Sequence, residues 1–198
     1  MDNYLASAEL KDANSFYFNI SFELLYGCKF NCKGCFVETK GASPMTDRYY
    51  RDLKSVLDST EQSLYKPYIA FINPTDFLVA DNTVEVLSDP RVIDILGRFK
   101  RLSFLSTFLN YKKAEEIGEV LRKHYSHMEL EINILIEPEQ ITNTKYLSVL
   151  KRNQKTVIDI LNWHEPIRNF GIMNVYDFSK TKLAAMLSDY DQMNDTVN

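Results

Sequence analysis

The sequence predicts an α/β fold of parallel strands, and three observations carry that reading. Period-two strands alternate with helical stretches five times along the chain, hairpin signals between successive strands are scarce, and no repeat, low-complexity tract or Pro/Gly-rich linker divides the 198 residues. Antiparallel neighbours can be joined by a tight turn, whereas parallel neighbours need a crossover of about a dozen residues or more, usually a helix. The crossovers are expected to be right-handed, and residues 1–198 to form one domain.

The elements follow in order. Phe16, Phe18, Ile20, Phe22 and Leu24 alternate with Tyr17, Asn19, Ser21 and Glu23, a period-two strand over 16–24. Ser43-Pro44-Met45-Thr46 leads into a helix through about Leu64, with Leu53, Val56, Leu57 and Leu64 on its buried side. A second strand, Tyr68 to Ile72, ends at Asn73-Pro74-Thr75-Asp76. Helical segments run from about Val84 to Phe99 and restart at Asp89-Pro90, where proline suits a first helical position. Arg101 to Phe108 is strand three, and Asn110 caps a helix from Tyr111 to about Tyr125. Met128 to Ile136 is strand four, Thr144 to about Asn162 a helix, Phe170 to Tyr176 strand five, and Lys180 to about Tyr190 a last helix.

Two strands are two-faced. Asn19, Ser21 and Glu23, and likewise Glu129, Glu131 and Asn133, fall on single polar faces, whereas parallel strands covered on both sides read as continuous apolar runs. The polar face is expected to line a wet or ligand-filled cavity, as in a sheet curved around it. An open sheet with one face in solvent is the other reading that alternation allows.

Charged residues make up 25% of the chain and hydrophobic ones 45%, the balance of an ordinary globular domain. A net charge of −4 argues against a pervasive field for nucleic acid, although Lys29, Lys33 and Lys40 flank the cysteines. No apolar run approaches the roughly 18 residues that would span a membrane, and Met1-Asp2-Asn3-Tyr4 lacks signal-peptide character.

The chain has three cysteines, all within Gly27-Cys28-Lys29-Phe30-Asn31-Cys32-Lys33-Gly34-Cys35, spaced C-x3-C-x2-C directly after strand one. An odd, clustered set points to metal chemistry in a reducing compartment rather than a disulfide frame, so a cytoplasmic protein is expected. Three thiolates are one short of the four that usually close an iron–sulfur cluster, and an open position on a metal centre is where a reactant binds. Three classes fit: an enzyme using that open position, a zinc-binding interaction module closed by a distant histidine, and an iron–sulfur electron carrier. His124, His127 and His164 are far from the cysteines in sequence and form no ligand-spaced pair with them.

On this motif and its place before repeating βα units, the chain resembles the radical SAM superfamily. The resemblance implies a partial (β/α) barrel with a [4Fe–4S] cluster held by Cys28, Cys32 and Cys35, whose fourth iron binds the amino and carboxylate groups of S-adenosyl-L-methionine. Reductive cleavage would then give a 5′-deoxyadenosyl radical that abstracts hydrogen from a substrate, with the electron supplied by an external flavodoxin- or ferredoxin-like donor. The family's Gly-Gly-Glu-like turn after strand two corresponds to Asn73-Pro74-Thr75-Asp76, which lacks both glycines. Asp76 stands for the acidic partner there, and the Asn73 and Thr75 carbonyls for acceptors from the ammonium. Ser106, Thr107, Asn133 and Asn174 correspond to strand-end contacts to ribose and carboxylate.

Two departures stand out. Gly34 replaces the aromatic residue often found before the third cysteine, leaving Phe30 or Phe36 for apolar contact. Five βα units are visible where the family usually has six, so the barrel is shortened or a C-terminal part lies beyond this sequence. With no further cysteine, auxiliary clusters and cysteine-relayed methyl transfer are not expected of this chain. Hydrogen abstraction from an unidentified substrate remains, with activation of a glycyl-radical enzyme as the alternative.

Overall fold

The computed structural model describes residues 16–28, 46–61, 65–73, 75–136 and 143–173. Five strands form one sheet in the order β1-β2-β3-β4-β5, every neighbouring pair parallel. They are β1 (Phe16–Glu23), β2 (Tyr65–Asn73), β3 (Arg101–Ser106), β4 (Glu129–Ile136) and β5 (Arg168–Met173). Between them run α1 (Asp47–Glu61), α2 (Thr83–Ser88), α3 (Pro90–Leu96), α4 (Ala114–Tyr125) and α5 (Thr144–Leu161). The α/β fold with a parallel sheet is as the sequence predicts. The last helix expected, 180–190, lies outside the described residues.

A strand order that never reverses, combined with right-handed crossovers, sends every connecting helix to the same side of the sheet. The core agrees. Leu57 of α1, Leu87 of α2, Ile95 of α3, Leu121 of α4 and Val157 of α5 join Phe22, Ile72, Phe104 and Ile132 of the strands in a single buried cluster. Phe99, just before β3, meets the rings of Phe18 and Phe22 edge-on at 6.3 and 5.6 Å. Among the described residues no helix is long and apolar enough to cross a membrane.

Several boundaries differ from the sequence-based expectation for local reasons. β2 begins at Tyr65 rather than Tyr68, although Pro67 has no N–H to donate. The strand tolerates it because β3 pairs with β2 only from Ile69 onward, and because the β1–β2 register shifts between Phe18 and Asn19, leaving Tyr68 as an extra residue. Asn19 Oδ1 then accepts from Ile69 N at 3.2 Å, re-seating the ladder. β3 stops at Ser106 because Phe108 turns into the left-handed region at φ 53°. Asn110 does not cap α4: its Oδ1 accepts from Lys112 N in a local turn, and the helix starts at Ala114. Val56 is 52% exposed rather than buried, while Leu57 alone of that run is fully enclosed. Thr46 and Asn143 do cap their helices, accepting from Tyr49 N and Tyr146 N.

Register assigns the second face. Arg101 pairs with Glu129, Ser103 with Glu131 and Leu105 with Asn133, so these side chains share the side away from the helices. Two different environments occur on it. At the β1 edge Asn19, Ser21 and Glu23 are exposed, whereas Ser103, Glu131 and Asn133 are 1%, 4% and 3% exposed. The expectation of a wet cavity lined by Glu129, Glu131 and Asn133 is corrected here: Glu131 and Asn133 are shut off from solvent, Glu129 is partly exposed, and the groups satisfy one another. Ser103 Oγ donates to Glu131 Oε1 at 2.8 Å, and Asn133 Nδ2 donates to Ser103 Oγ at 2.7 Å and Glu131 Oε1 at 3.0 Å. Arg101 bridges both acids, reaching Glu129 Oε2 at 2.7 Å and Glu131 Oε2 at 3.1 Å. Burial alone would raise the Glu129 carboxyl. The hydrogen bond and charge of Arg101, with Lys100 and Arg168, hold it below its ordinary value.

Candidate functional site

Parallel α/β sheets place ligands at the carboxyl ends of their strands, where the loops converge. β1 delivers Cys28 to that edge. Between strand and thiol, Leu24 and Leu25 are buried and Gly27 adopts φ +86°. Gly27 is favoured by this left-handed backbone conformation, and a Cβ there would also crowd the Asp81 side chain, 2.8 Å from Oδ2. Cys28 itself is half-buried. Cys32, Cys35, Phe30 and Asn174 lie outside the described residues.

The loop after β2 packs against this segment along its length. Thr75 Oγ1 donates to Leu25 O at 3.1 Å, and Asp81 N donates to Tyr26 O at 3.1 Å. Asn82 uses both ends of its amide, donating from Nδ2 to Leu24 O at 2.8 Å and accepting at Oδ1 from Tyr26 N at 3.0 Å. Lys113, just before α4, donates to Ala80 O and Asp81 O at 3.0 and 3.2 Å and holds the same loop from its far side. The contacts to the β1 end join residues 50 to 58 positions apart, and no motif in the sequence announces them. Glycine immediately before the first cysteine is the one local sign.

Asp76 ties the second loop to the third. It is 5% exposed; Oδ1 accepts from Leu78 N at 3.0 Å, and Oδ2 accepts from Thr107 N and Thr107 Oγ1, both at 2.8 Å. Burial pushes its carboxyl above the ordinary value, against the hydrogen bonds from Thr107, Leu78 and Ser106 that lower it. Both oxygens are thus used inside the fold. Thr75, Thr107 and Ser106 are similarly engaged, Ser106 Oγ accepting from Phe108 N at 2.9 Å. Beyond them Phe108 is fully buried with its carbonyl held by Asn153 Nδ2 at 2.9 Å, and Phe77 stacks on Phe104 with ring centroids 4.7 Å apart.

The predicted residues therefore fall into groups. Cys28, Thr75, Asp76, Ser106 and Thr107 meet at one edge of the sheet, and Asn73 ends β2 there, paired with Glu23. Asn133 is not with them; its amide belongs to the Ser103–Glu131 network. The three histidines are at the opposite edge. His127 Nε2 is 3.1 Å from Gly97 O, just ahead of β3 and β4; His124 ends α4; and His164 contacts Trp163, whose Nε1 donates to Met128 O.

No protein-family model, curated protein or solved structure matches this chain.

Proposed function

We propose that this chain is a radical SAM enzyme. The observation that carries the reading is the C-x3-C-x2-C set, with its first cysteine at the carboxyl edge of the first strand of a sequentially ordered parallel sheet. The donor set fits a [4Fe–4S] cluster: Cys28, Cys32 and Cys35 supply three thiolates and the chain has no fourth. With S-adenosyl-L-methionine bound, such a cluster supplies one-electron cleavage of the sulfonium and hence hydrogen abstraction from a substrate.

The chain's own residues do the rest. Gly27 lets the backbone turn tightly enough for the cysteine loop to leave β1 beside the β2–α2 loop. On this reading the backbone carbonyls of Asn73 and Thr75 are the acceptors for the ammonium, while the Asp76 carboxylate is bonded to Thr107 rather than reaching outward. Phe77, Phe104 and Phe108 are all fully buried, and an apolar interior behind these loops would help to keep water from a reactive carbon centre. The sequential strand order and the buried polar network favour a sheet curved into a partial (β/α) barrel. A soluble flavodoxin- or ferredoxin-like donor would supply the electron.

Histidine closure of a zinc site finds no support. β3 and β4 are six and eight residues long, roughly 20–26 Å of strand between the histidine edge and the cysteine edge.

The test is anaerobic reconstitution followed by incubation with S-adenosylmethionine and a strong reductant. About four irons and four sulfides per chain, and 5′-deoxyadenosine that is lost in Cys28→Ala, Cys32→Ala and Cys35→Ala, are expected. One zinc with no sulfide would overturn the proposal.

A further inference from the structure

We propose that Asn82, seconded by Thr75, is a positioning residue that presets the backbone presenting Cys28. The proposal rests on reading Cys28 as a cluster ligand. Its physical content is the way three consecutive residues ahead of Gly27 are held. Leu24 O, Leu25 O, Tyr26 N and Tyr26 O are all bonded to the 75–82 loop, two of the four through the single Asn82 amide.

The position of Asn82 argues that this is more than a loop anchor of convenience. It occupies the residue before α2, where asparagine ordinarily turns its side chain back to cap its own helix. Here the side chain makes no cap hydrogen bond, and instead crosses to a segment 56 and 58 residues earlier in the chain. α2 thus forgoes a local stabilising contact, and the residue is 3% exposed. The amide orientation is fixed by its partners, because Nδ2 must meet a carbonyl and Oδ1 an N–H. Thr75, 1% exposed, gives its only hydroxyl hydrogen to Leu25 O. A thiolate that must share a metal centre with two others on a short loop gains from a backbone whose conformation is set before the metal arrives.

The test uses the full chain with Cys32 and Cys35 changed to serine, which leaves Cys28 as its one thiol. Alkylation of Cys28 by iodoacetamide is measured in that background and in Asn82→Ala, Asn82→Asp, Thr75→Val and Thr75→Ser, with circular dichroism as the folding control. Asn82→Ala and Thr75→Val are expected to alter the rate by at least about fivefold, the scale of losing one or two buried hydrogen bonds. Asn82→Asp, which keeps the acceptor for Tyr26 N and loses the donor to Leu24 O, should fall between, and Thr75→Ser should restore the parent rate. In the three-cysteine chain, Asn82→Ala should release iron to a chelator faster and broaden the reduced-cluster resonance.

Parent-like alkylation in folded Asn82→Ala together with equal rates for Thr75→Val and Thr75→Ser would overturn the proposal. Should Asn82→Ala not fold, the Thr75 pair and the amide exchange of Tyr26 in the parent chain decide. Exchange of Tyr26 N–H at the rate of an unstructured peptide would also overturn it. An alkylation response as expected in a chain that never assembles a cluster would leave the clamp standing and remove the radical SAM reading instead.

Discussion

Asp76 is the residue whose type is most informative and whose role is least guessable. Its acidity and place after β2 suggest a group facing a ligand, yet its oxygens accept from Leu78 N, Thr107 N and the Thr107 hydroxyl. In Asp76→Asn one face of the amide would present N–H to Thr107 N–H, so about 1–3 kcal/mol of stability should be lost, read by urea denaturation near neutral pH. The pH dependence has a definite sign. The native carboxyl is raised above its ordinary 3.8, so the folded state holds the proton more tightly than the unfolded one. Stability from this group is complete below that value and declines as pH rises through the native value. The stability advantage of the parent over Asp76→Asn should therefore shrink across that window; an advantage that grows with pH would contradict the assignment. Sequence reading finds the cysteines by residue type and spacing, and Asp76 only through the family resemblance. It cannot find Thr107 as the partner, because a contact over 31 positions depends on β2 and β3 being neighbours with their ends level.

Elements were legible in proportion to how local their causes are. β1 and β4 are read from alternation alone; α5 is read as 144–162, and the structure adds its Asn143 cap. β2 reads short because Pro67 looks like a strand breaker until the register shift opposite Phe18 and the late start of β3 pairing are known. The polar face of β3 and β4 misleads differently. Alternation shows that Glu129, Glu131 and Asn133 share a side, but not that Arg101 on the adjacent strand neutralises two of them. Arg101→Met strands the buried Glu131 carboxylate, while Glu129 keeps Lys100 and Arg168, and is expected to cost about 3–5 kcal/mol. Because much of that cost is the stranded charge rather than a lost attraction, Arg101→Met combined with Glu131→Leu should regain most of it. Denaturant midpoints of the parent, the single and the double variant measure this; a double variant no more stable than the single would show that the network contributes through shape rather than charge.

At the scale of the whole molecule the two edges of the sheet are chemically opposite. The carboxyl edge gathers Gly27, Cys28, the 75–82 loop and Thr107, while the amino edge carries all three histidines and the outer end of the Arg101 network. Parallel strands impose that division, since every strand starts at one edge and every loop that follows a strand leaves from the other. The consequence for metal binding is direct. A histidine ligand to the proposed cysteine centre would have to cross the length of the strands from the far edge. Removing His124, His127 and His164 together, each to alanine, should leave iron and sulfide content per chain and the formation of 5′-deoxyadenosine unchanged, with only a small stability loss from the His127–Gly97 contact. Metal analysis of the reconstituted triple variant gives the answer. Iron content that drops by half or more in a folded chain would place a histidine at the centre and contradict the separation of the two edges, whereas retained iron leaves the vacant coordination position to a small molecule.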